Sequence, residues 1–267
     1  MLTYVKSFWV PKRGNSPDEY EDAFWIGPDG DSDGELAGRV LRVSLADGAS
    51  ESLLAGRWAK RLVACFGTTQ SAASAQGGFL RAYETAASQW DAELARYKAE
   101  RDSRGVPIQW YEEPGLVKGA YATILAVEFR EDAEGGTPAW SASCLGDSCL
   151  FQVRDESLYA SFPLSDAADF SIQPPLLASR QADSEVLLRH VVLTASDWER
   201  GDSFYLATDA LAAWFLSEVE RDGRPWETLR DLDTSDAPLE FPDWIDQLRD
   251  QGGLRNDDTT LVRIDLL

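Results

Sequence analysis

The chain has few of the residues on which nucleophilic catalysis and histidine-based metal sites are built. It contains one histidine and three cysteines in 267 residues. His190 lies in the apolar run LLRHVVL, where a structural role is expected, and no second histidine is available for a catalytic triad or a histidine-rich metal site. The cysteines are odd in number and are spaced neither like a zinc site nor like a disulfide framework. We therefore expect no thiol nucleophile, and any chemistry must rest on other side chains.

Long apolar runs and positive charge are also scarce. The longest apolar segments are far shorter than the roughly 20 residues that a membrane-spanning helix needs, and the N-terminus has no basic run followed by an apolar stretch. We therefore expect a cytoplasmic protein that does not bind membranes. With 25 basic against 46 acidic residues, the net charge is -21, which would repel a phosphate backbone. Nucleic acid is not an expected partner, and most of the acids are expected to form a solvated surface.

Apolar and aromatic residues, in contrast, are plentiful. At 44% hydrophobic residues, with 10 Trp and 11 Phe, the chain can bury a substantial core in one large domain or two small ones. Predicted strands come in runs and predicted helices come in blocks between them, whereas a doubly wound parallel sheet would follow each strand with a helix. The pattern favours an α+β fold with antiparallel sheets and helices on their outer faces.

Short segments with alternating or β-branched residues predict the strands. They are Leu2–Val10, Ala23–Ile26, Arg39–Ala46, the period-two stretch from Val117 to Phe129, Trp140–Leu145, Cys149–Arg154, Leu158–Phe162, Val191–Thr194, Ser203–Thr208 and a closing strand that ends at Leu266. The turn Gly146-Asp147 is expected to join two of these strands as an antiparallel hairpin.

Apolar residues at helical spacing predict the helices. They begin at Ala49 or Ser50, at Gly77-Gly78 with a stripe that continues to Tyr97, and at Asp209, with two shorter helices at Pro225–Leu232 and Pro242–Arg249. The aromatic residues of the long stripe are expected in the core rather than around a cofactor. Residues 163–189 form a long irregular segment of the kind that often covers a site.

Three acidic residues stand where a predicted strand ends or begins. Asp47 follows the strand in SLADGAS, Asp209 follows the strand in FYLATD, and Asp257 precedes the last strand in NDDTTLVRIDL. A carboxylate beside a glycine carbonyl, as in Asp47-Gly48, supplies the oxygen ligands that a hard cation prefers. We hypothesise that the three acids converge on a shared metal site. The alternative is that each is an ordinary turn or helix-cap residue.

Two further clusters of charge lie near the N-terminus. Lys12 and Arg13 form a compact basic turn, which is either a solvated loop or an anion-binding site, since a guanidinium is well shaped for a phosphate. Glu21 and Asp22 belong to an acidic segment that could equally be a charged turn before the next strand. Asp147, taken alone, is equally well explained as a turn residue.

Six segments in this order resemble the metal-dependent protein phosphatase family, type 2C, and in particular its compact bacterial members. They are YEDAF, LADGAS, GAYATIL, CLGDSCLFQVRD, FYLATDALAAWF and NDDTTLVRI, and together they run through nearly the whole chain. The resemblance implies one phosphatase domain across residues 1–267. It also implies a four-layer sandwich in which two antiparallel sheets are flanked by helices, with a metal centre at one edge of the sheets.

The resemblance also assigns roles to the strand-end acids. Asp47 resembles the carboxylate that bridges two magnesium or manganese ions, and Gly48 the residue whose carbonyl binds one of them. Asp209 and Asp257 resemble the acids of the two C-terminal metal motifs. Hydrolysis of a phosphomonoester would proceed by direct attack of a water that bridges the two metals, which suits a chain with one histidine and no expected thiol nucleophile.

The same resemblance assigns the remaining charged residues. Glu21 and Asp22 match the acid pair that holds metal-bound waters, and Asp147 matches an acid linked in some members to a third, weaker metal. Arg13, or its neighbour Lys12, is expected to bind the phosphate. The implied substrate is a protein phosphorylated on serine or threonine by an opposing kinase, and the chain is expected to be a monomer.

The chain departs from the family pattern at three sites. Ala49, Ser50 and Glu51 stand where members often carry His-Gly-Gly or Met-Gly-Gly, Pro17 stands at the usual place of the phosphate-binding arginine, and Ala210 replaces a glycine. These departures favour one alternative, and a second is open because substrate choice lies in loops such as residues 163–189. The chain could be a catalytically weak regulator or pseudo-phosphatase on the same fold, or a phosphatase for a small phosphorylated metabolite.

Overall fold

The computed structural model describes residues 1–27, 30, 33–131, 137–170, 173–180, 183–232 and 240–267. The strands are β1 Leu2–Val10, β2 Ala23–Ile26, β3 Gly34–Ala37, β4 Val40–Ala46, β5 Tyr121–Ala122, β6 Ile124–Arg130, β7 Ala139–Leu145, β8 Cys149–Arg154, β9 Ser157–Phe162, β10 Leu177–Ala178, β11 Val192–Asp197, β12 Ser203–Ala207 and β13 Thr259–Leu266. The α-helices are α1 Ala55–Thr68, α2 Gln76–Ser88, α3 Trp90–Ser103, α4 Glu113–Lys118, α5 Ser184–Leu188, α6 Asp209–Glu220, α7 Pro225–Asp231 and α8 Phe241–Asp250.

The strands assemble into antiparallel sheets. Within the described ranges, six strands form one sheet in the order β3-β1-β13-β12-β8-β9, five form another in the order β11-β7-β6-β4-β2, and β10 pairs with β5. The pairings of β1 with β13, of β12 with β13 and of β4 with β6 are all antiparallel. The predicted α+β fold with two large antiparallel sheets is therefore confirmed.

The two large sheets pack face to face, and helices cover both outer faces. Between the sheets, Phe129 of β6 meets Phe204 of β12 with ring centroids 4.8 Å apart. α1 and α2 cover the five-stranded sheet and bury Trp58, while α6 to α8 cover the six-stranded sheet, where Phe151 stacks on Phe215 at 4.0 Å. Of the aromatic residues in the predicted stripe, Phe79, Tyr83 and Trp90 lie in the core, as expected, whereas Tyr97 is half-buried. The result is a helix, sheet, sheet, helix sandwich.

β6 shows why the inner strands are apolar on both faces. Leu125 and Val127 pack against the other sheet, while Ile124 and Ala126 pack against α1. A strand between two apolar layers cannot alternate between apolar and polar residues, so it forms a continuous apolar run. None of the helices in the described part of the chain has the length and apolar character of a membrane span.

Two predicted helices differ in their bounds. The stripe from Gly77-Gly78 to Tyr97 is divided between α2 and α3, which meet at Gln89. The first helix begins at Ala55 instead of Ala49 or Ser50, because Leu54 adopts a left-handed backbone with φ 68°. A right-handed helix cannot run through a residue in that conformation.

The predicted hairpin around Gly146-Asp147 is wrong. β7 belongs to the five-stranded sheet and β8 to the six-stranded sheet, so the turn carries the chain from one sheet to the other. Gly146 has φ +125°, and a Cβ there would lie 2.4 Å from the Cβ of Thr123, so the crossing requires glycine. Because inner strands are apolar on both faces, two of them joined by a tight turn have the same sequence pattern whether or not they pair.

Candidate metal centre

Acids from separate strand ends converge on one cavity at the edge of the two sheets. The cavity has a volume of about 720 Å³, and its lining includes Asp47, Asp147, Asp209 and Asp257. Asp47 follows β4, Asp147 connects β7 to β8, Asp209 follows β12, and Asp257 precedes β13. Antiparallel strand order places these ends at one edge, so the predicted convergence of Asp47, Asp209 and Asp257 is present in the fold.

The backbone of Asp47 and Gly48 is held on both sides. The Asp47 N–H donates to Thr123 Oγ1 at 3.1 Å, and the Thr123 N–H donates back to the Asp47 carbonyl at 2.8 Å. On the other side, a Cβ at Gly48 would lie 2.6 Å from the carbonyl oxygen of Glu21. A glycine is therefore required at position 48, because the chain around Glu21 approaches it so closely.

The side chain of Asp22 is held by a hydrogen bond from β13, the last strand. The Thr260 hydroxyl donates to Asp22 Oδ2 at 2.7 Å and also contacts the Tyr20 hydroxyl. The Thr260 N–H donates to Thr208 Oγ1 at 3.0 Å, and the Thr208 N–H donates to the Thr260 carbonyl at 3.2 Å. Thr208 is the residue immediately before Asp209, so this hydrogen-bonded chain positions two of the acids together.

Two residues that hold the backbone around the centre were not predicted from the sequence. Asp258 accepts the Lys12 N–H at 2.6 Å and the Glu21 N–H at 2.7 Å. Arg249 donates to the carbonyls of Asp257 at 2.6 Å and Pro11 at 3.3 Å. Asp258 could have been noticed as a second acid in NDDTT, whereas Arg249 lies in an ordinary amphipathic helix and gives no sequence signal.

Several oxygens of the acids are buried and lack a protein partner. Within the described residues, Asp22 Oδ1, both carboxylate oxygens of Asp147 and Asp209 Oδ1 are buried without a hydrogen bond. Buried carboxylate oxygens are costly unless a donor or a cation satisfies them. A set made of oxygen donors alone suits magnesium or manganese. The buried, unpaired oxygens of these acids therefore fit a site for a divalent metal ion.

The acids also repel one another. Burial raises the pKa of Asp47 well above its ordinary value, and the charges of Asp22 and Asp209 raise it further. Burial likewise raises the pKa of Asp147 to about 7, with the charge of Asp209 adding to the effect. Burial raises the pKa of Asp209 as well, although Arg255 opposes the shift. Without a cation, this cluster cannot keep all its carboxylates ionised.

The acids do not form a closed cage by themselves. Over the described ranges, no group of three or more His, Cys, Asp or Glu side chains is arranged as a ready-made metal site. A guanidinium lies among them instead. Arg255 contacts Asp209 Oδ2, and its Nη2 lies 3.4 Å from Asp257 Oδ2. Arg255 was also missed by the sequence analysis, although a basic residue just before NDD is conspicuous in so acidic a chain.

The two basic candidates for phosphate binding are placed differently. The Arg13 guanidinium is paired with Asp246 at 3.2 Å and Asp250 at 2.7 Å on α8, and Arg13 is not among the residues that line the cavity. Lys12 lines the cavity. Geometry therefore favours Lys12 over Arg13, because the acids of α8 hold the arginine away from the centre.

The other predicted residues lie at or beside the cavity. Gly48 lines it, and Glu21 lines an adjacent cavity of about 860 Å³ that shares Lys12 and Ser50 with the first. Part of the irregular segment after β9 covers the centre, because Gln173, Pro174 and Leu176 form one wall.

The architecture is similar to those of solved phosphatases along the full chain. The serine/threonine phosphatase PstP/Ppp of Mycobacterium tuberculosis matches with a TM-score of 0.57 at 15% identity, over 100% of this chain and 99% of that one. The PstP catalytic domain in complex with two manganese ions matches with a TM-score of 0.54 at 15% identity, over 99% of each chain. The PPM phosphatase MsPP of Mycobacterium smegmatis, in complex with cacodylate, matches with a TM-score of 0.54 at 17% identity, over 99% of this chain and 98% of that one.

These likenesses establish the type 2C phosphatase fold for this chain. No family model and no curated protein matches the sequence. The similarity to these solved structures therefore lies in the fold, at 15% to 17% sequence identity.

Proposed function

We propose that this chain is a metal-dependent phosphatase, in one domain, that hydrolyses phosphoserine or phosphothreonine in proteins. The observation that carries the proposal is the convergence of Asp47, Asp147, Asp209 and Asp257 on one cavity. The fold supports it, because solved structures of serine/threonine phosphatases share it, one of them with two manganese ions. That the substrate is a phosphorylated protein is a more specific part of the proposal, which the substrate competition described below tests.

Oxygen ligands from four segments would hold the ions. Asp47 and the carbonyl of Gly48 would contribute from the first segment, Asp209 and Asp257 from two others, and Asp147 would serve a third, weaker ion. Two or three magnesium or manganese ions bound here would reverse the sign of the cluster for a phosphate and lower the pKa of a water.

The surrounding residues hold these ligands in place. Thr123 fixes the backbone of Asp47 through two hydrogen bonds, and Thr260 orients Asp22. Lys12 supplies a positive charge in the wall of the cavity, where it would attract a phosphoryl group. Asp258 holds the Lys12 backbone through its N–H, so the position of this charge depends on the same loop that carries Asp257.

The test is hydrolysis of a phosphothreonine peptide and of an aryl phosphate by the purified chain with manganese. Asp209→Asn is expected to lower the rate by more than about 100-fold, because it removes a ligand of the ions. Asp102→Asn, an exposed acid of α3, is the matched control and should leave the rate unchanged. Absence of hydrolysis by the unmodified chain, or no effect of Asp209→Asn, would refute the proposal. Competition between phosphopeptides and small phosphorylated metabolites identifies the substrate class.

A non-catalytic regulator on the same fold is a second candidate. The observation that favours it is the contact of Arg255 with Asp209 and Asp257, which leaves those oxygens paired with a side chain. Calorimetry with manganese separates the two candidates, because a regulator of this kind would bind the ion weakly or not at all.

A further inference from the structure

Arg255 places a positive charge between two carboxylates that are proposed as metal ligands. Its Nη2 contacts Asp209 Oδ2 and lies 3.4 Å from Asp257 Oδ2. The Asp209 side chain is 12% exposed, whereas the Arg255 side chain is 54% exposed. The guanidinium therefore reaches the buried acid from the open side of the cavity, which is the side from which an ion would enter.

The electrostatic coupling extends beyond these two acids. Burial alone would lower the pKa of Arg255, but the charge of Asp209 and its hydrogen bond, together with the charges of Asp257 and Asp47, raise it. One guanidinium thus partly neutralises the cluster as long as no ion is bound. The charge of Arg255 also opposes the rise in the pKa of Asp147. Within the described residues, both carboxylate oxygens of Asp147 and Asp209 Oδ1 nevertheless lack a hydrogen bond, so Arg255 does not satisfy the whole cluster.

The backbone of Arg255 is anchored independently of its side chain. The Asp257 N–H donates to the Arg255 carbonyl at 3.0 Å, and the side-chain Oδ1 of the next residue, Asn256, accepts the Arg13 N–H at 2.8 Å. Arg249 holds the Asp257 carbonyl as well. With its backbone fixed and its side chain half exposed, Arg255 can turn toward solvent by side-chain rotation alone.

We propose that Arg255 is a built-in competitor of the divalent ion at Asp209 and Asp257. In the metal-free protein it stabilises the two carboxylates. It must move away from Asp209 Oδ2 and Asp257 Oδ2 before an ion can bind at those oxygens, because the guanidinium occupies that position and repels a second cation at contact distance. The inference rests on the proposed function in taking these acids as metal ligands. The competition weakens the apparent affinity for the divalent ion, since only the fraction of molecules in which Arg255 is displaced can bind the ion.

Manganese titration by calorimetry tests the competition on three proteins: the unmodified chain, Arg255→Gln and Lys118→Gln. Lys118 lines the same cavity, but its ammonium lies 5.5 Å from the Tyr121 ring. Both substitutions remove one positive charge from the cavity. The lysine variant therefore measures how much manganese affinity rises from the loss of a nearby positive charge alone. We expect Arg255→Gln to bind manganese at least about tenfold more tightly than the unmodified chain, and Lys118→Gln to gain only a few-fold.

Thermal unfolding gives a second readout that does not depend on activity. In EDTA, Arg255→Gln is expected to unfold at a lower temperature than the unmodified chain, because Asp209 and Asp257 lose their counter-charge. In saturating manganese the difference should vanish or reverse, because the ion replaces the guanidinium. Lys118→Gln should show no such crossover.

The outcomes separate this inference from the proposed function. Equal manganese affinity in the unmodified chain and both variants would overturn the competition and leave the phosphatase proposal standing. Binding by Arg255→Gln but not by the unmodified chain would support the competition and show that the arginine permanently replaces the ion, against the phosphatase proposal. No manganese binding by any of the three proteins would overturn both.

Discussion

The carbonyl of Glu21 lies so close to Gly48 that a Cβ on the glycine would stand 2.6 Å from the carbonyl oxygen. This contact joins the acidic segment before β2 to the strand end that carries Asp47. It is also why Gly48 and Glu21, which are 27 positions apart in the sequence, act as one structural unit at the proposed centre. The close approach makes position 48 a sensitive test of the site.

Gly48→Ala is expected to reduce the free energy of unfolding by about 1 to 3 kcal/mol, because the backbone at Glu21 or Asp47 must move to admit the methyl group. Urea unfolding measures this change. Gly77→Ala is the control, because Gly77 lies in α2 and its nearest neighbour to a new Cβ is a flexible arginine atom 3.6 Å away. The control should leave stability unchanged or slightly raised. Equal effects of the two substitutions would contradict the close contact.

Asp47→Asn should separate stability from activity. Because the pKa of Asp47 is raised, folding the metal-free protein at neutral pH requires this residue either to take up a proton or to carry a charge among the other acids, and both cost free energy. Asparagine carries neither cost, so the metal-free variant should be more stable. The same change removes the proposed bridging ligand, so phosphatase activity with manganese should fall by more than about 100-fold. Thermal unfolding in EDTA and hydrolysis of an aryl phosphate measure the two effects.

A loss of stability in EDTA together with a loss of activity would show that Asp47 supports the fold as an ordinary turn residue, and would count against its role as a ligand.

Asp147 predicts a pH dependence of stability for the metal-free protein. Burial raises its pKa to about 7, above the value of 3.8 for the unperturbed group. The folded state therefore holds the proton more tightly than the unfolded state, and stability falls as pH rises from about 4 to 7, then levels off. Asp147→Asn removes the contribution of Asp147 to this slope, so the variant should exceed the unmodified chain by about 4 kcal/mol at pH 8 and match it near pH 4.

Urea unfolding in EDTA at several pH values measures the difference between the two proteins. The exposed acid Asp102 provides the control, because Asp102→Asn should give no gain that depends on pH. A constant offset between the unmodified chain and Asp147→Asn across the pH range would show that Asp147 titrates normally.

The strand-end acids could be predicted because the sequence pattern that marks a strand end is local. Asp47 and Asp209 each follow a short apolar strand, and helical spacing of apolar residues begins soon after each. A few neighbouring residues are therefore enough to predict that each acid lies at the edge of a sheet. The ends of antiparallel strands meet at one edge of the fold, which makes convergence a consequence of topology.

The sequence did not reveal contacts that depend on distant segments. Whether Gly146-Asp147 forms a hairpin or a crossing between sheets depends on packing against distant residues such as Thr123, which lies between β5 and β6. Arg13 was a reasonable candidate for phosphate binding, but its partners Asp246 and Asp250 lie on a helix more than 200 residues away. Basic residues in a charged loop have several possible partners, and only the fold selects among them.

Arg249 is expected to position Asp257 without touching the substrate. Its side chain is 3% exposed and donates to the carbonyls of Asp257 at 2.6 Å and Pro11 at 3.3 Å, so it ties the loop of Lys12 to the loop of Asp257. Arg249→Ala should lower manganese affinity by about 10- to 100-fold, as loss of a group that orients a ligand typically does. Arg249→Lys should recover little of this affinity, because one ammonium cannot reproduce the fork that spans both carbonyls. Calorimetry on both variants and on the control Arg221→Ala measures the effect. Arg221 is an exposed arginine that directly follows α6 and pairs with Glu218. Full recovery by the lysine variant would show that charge alone is needed.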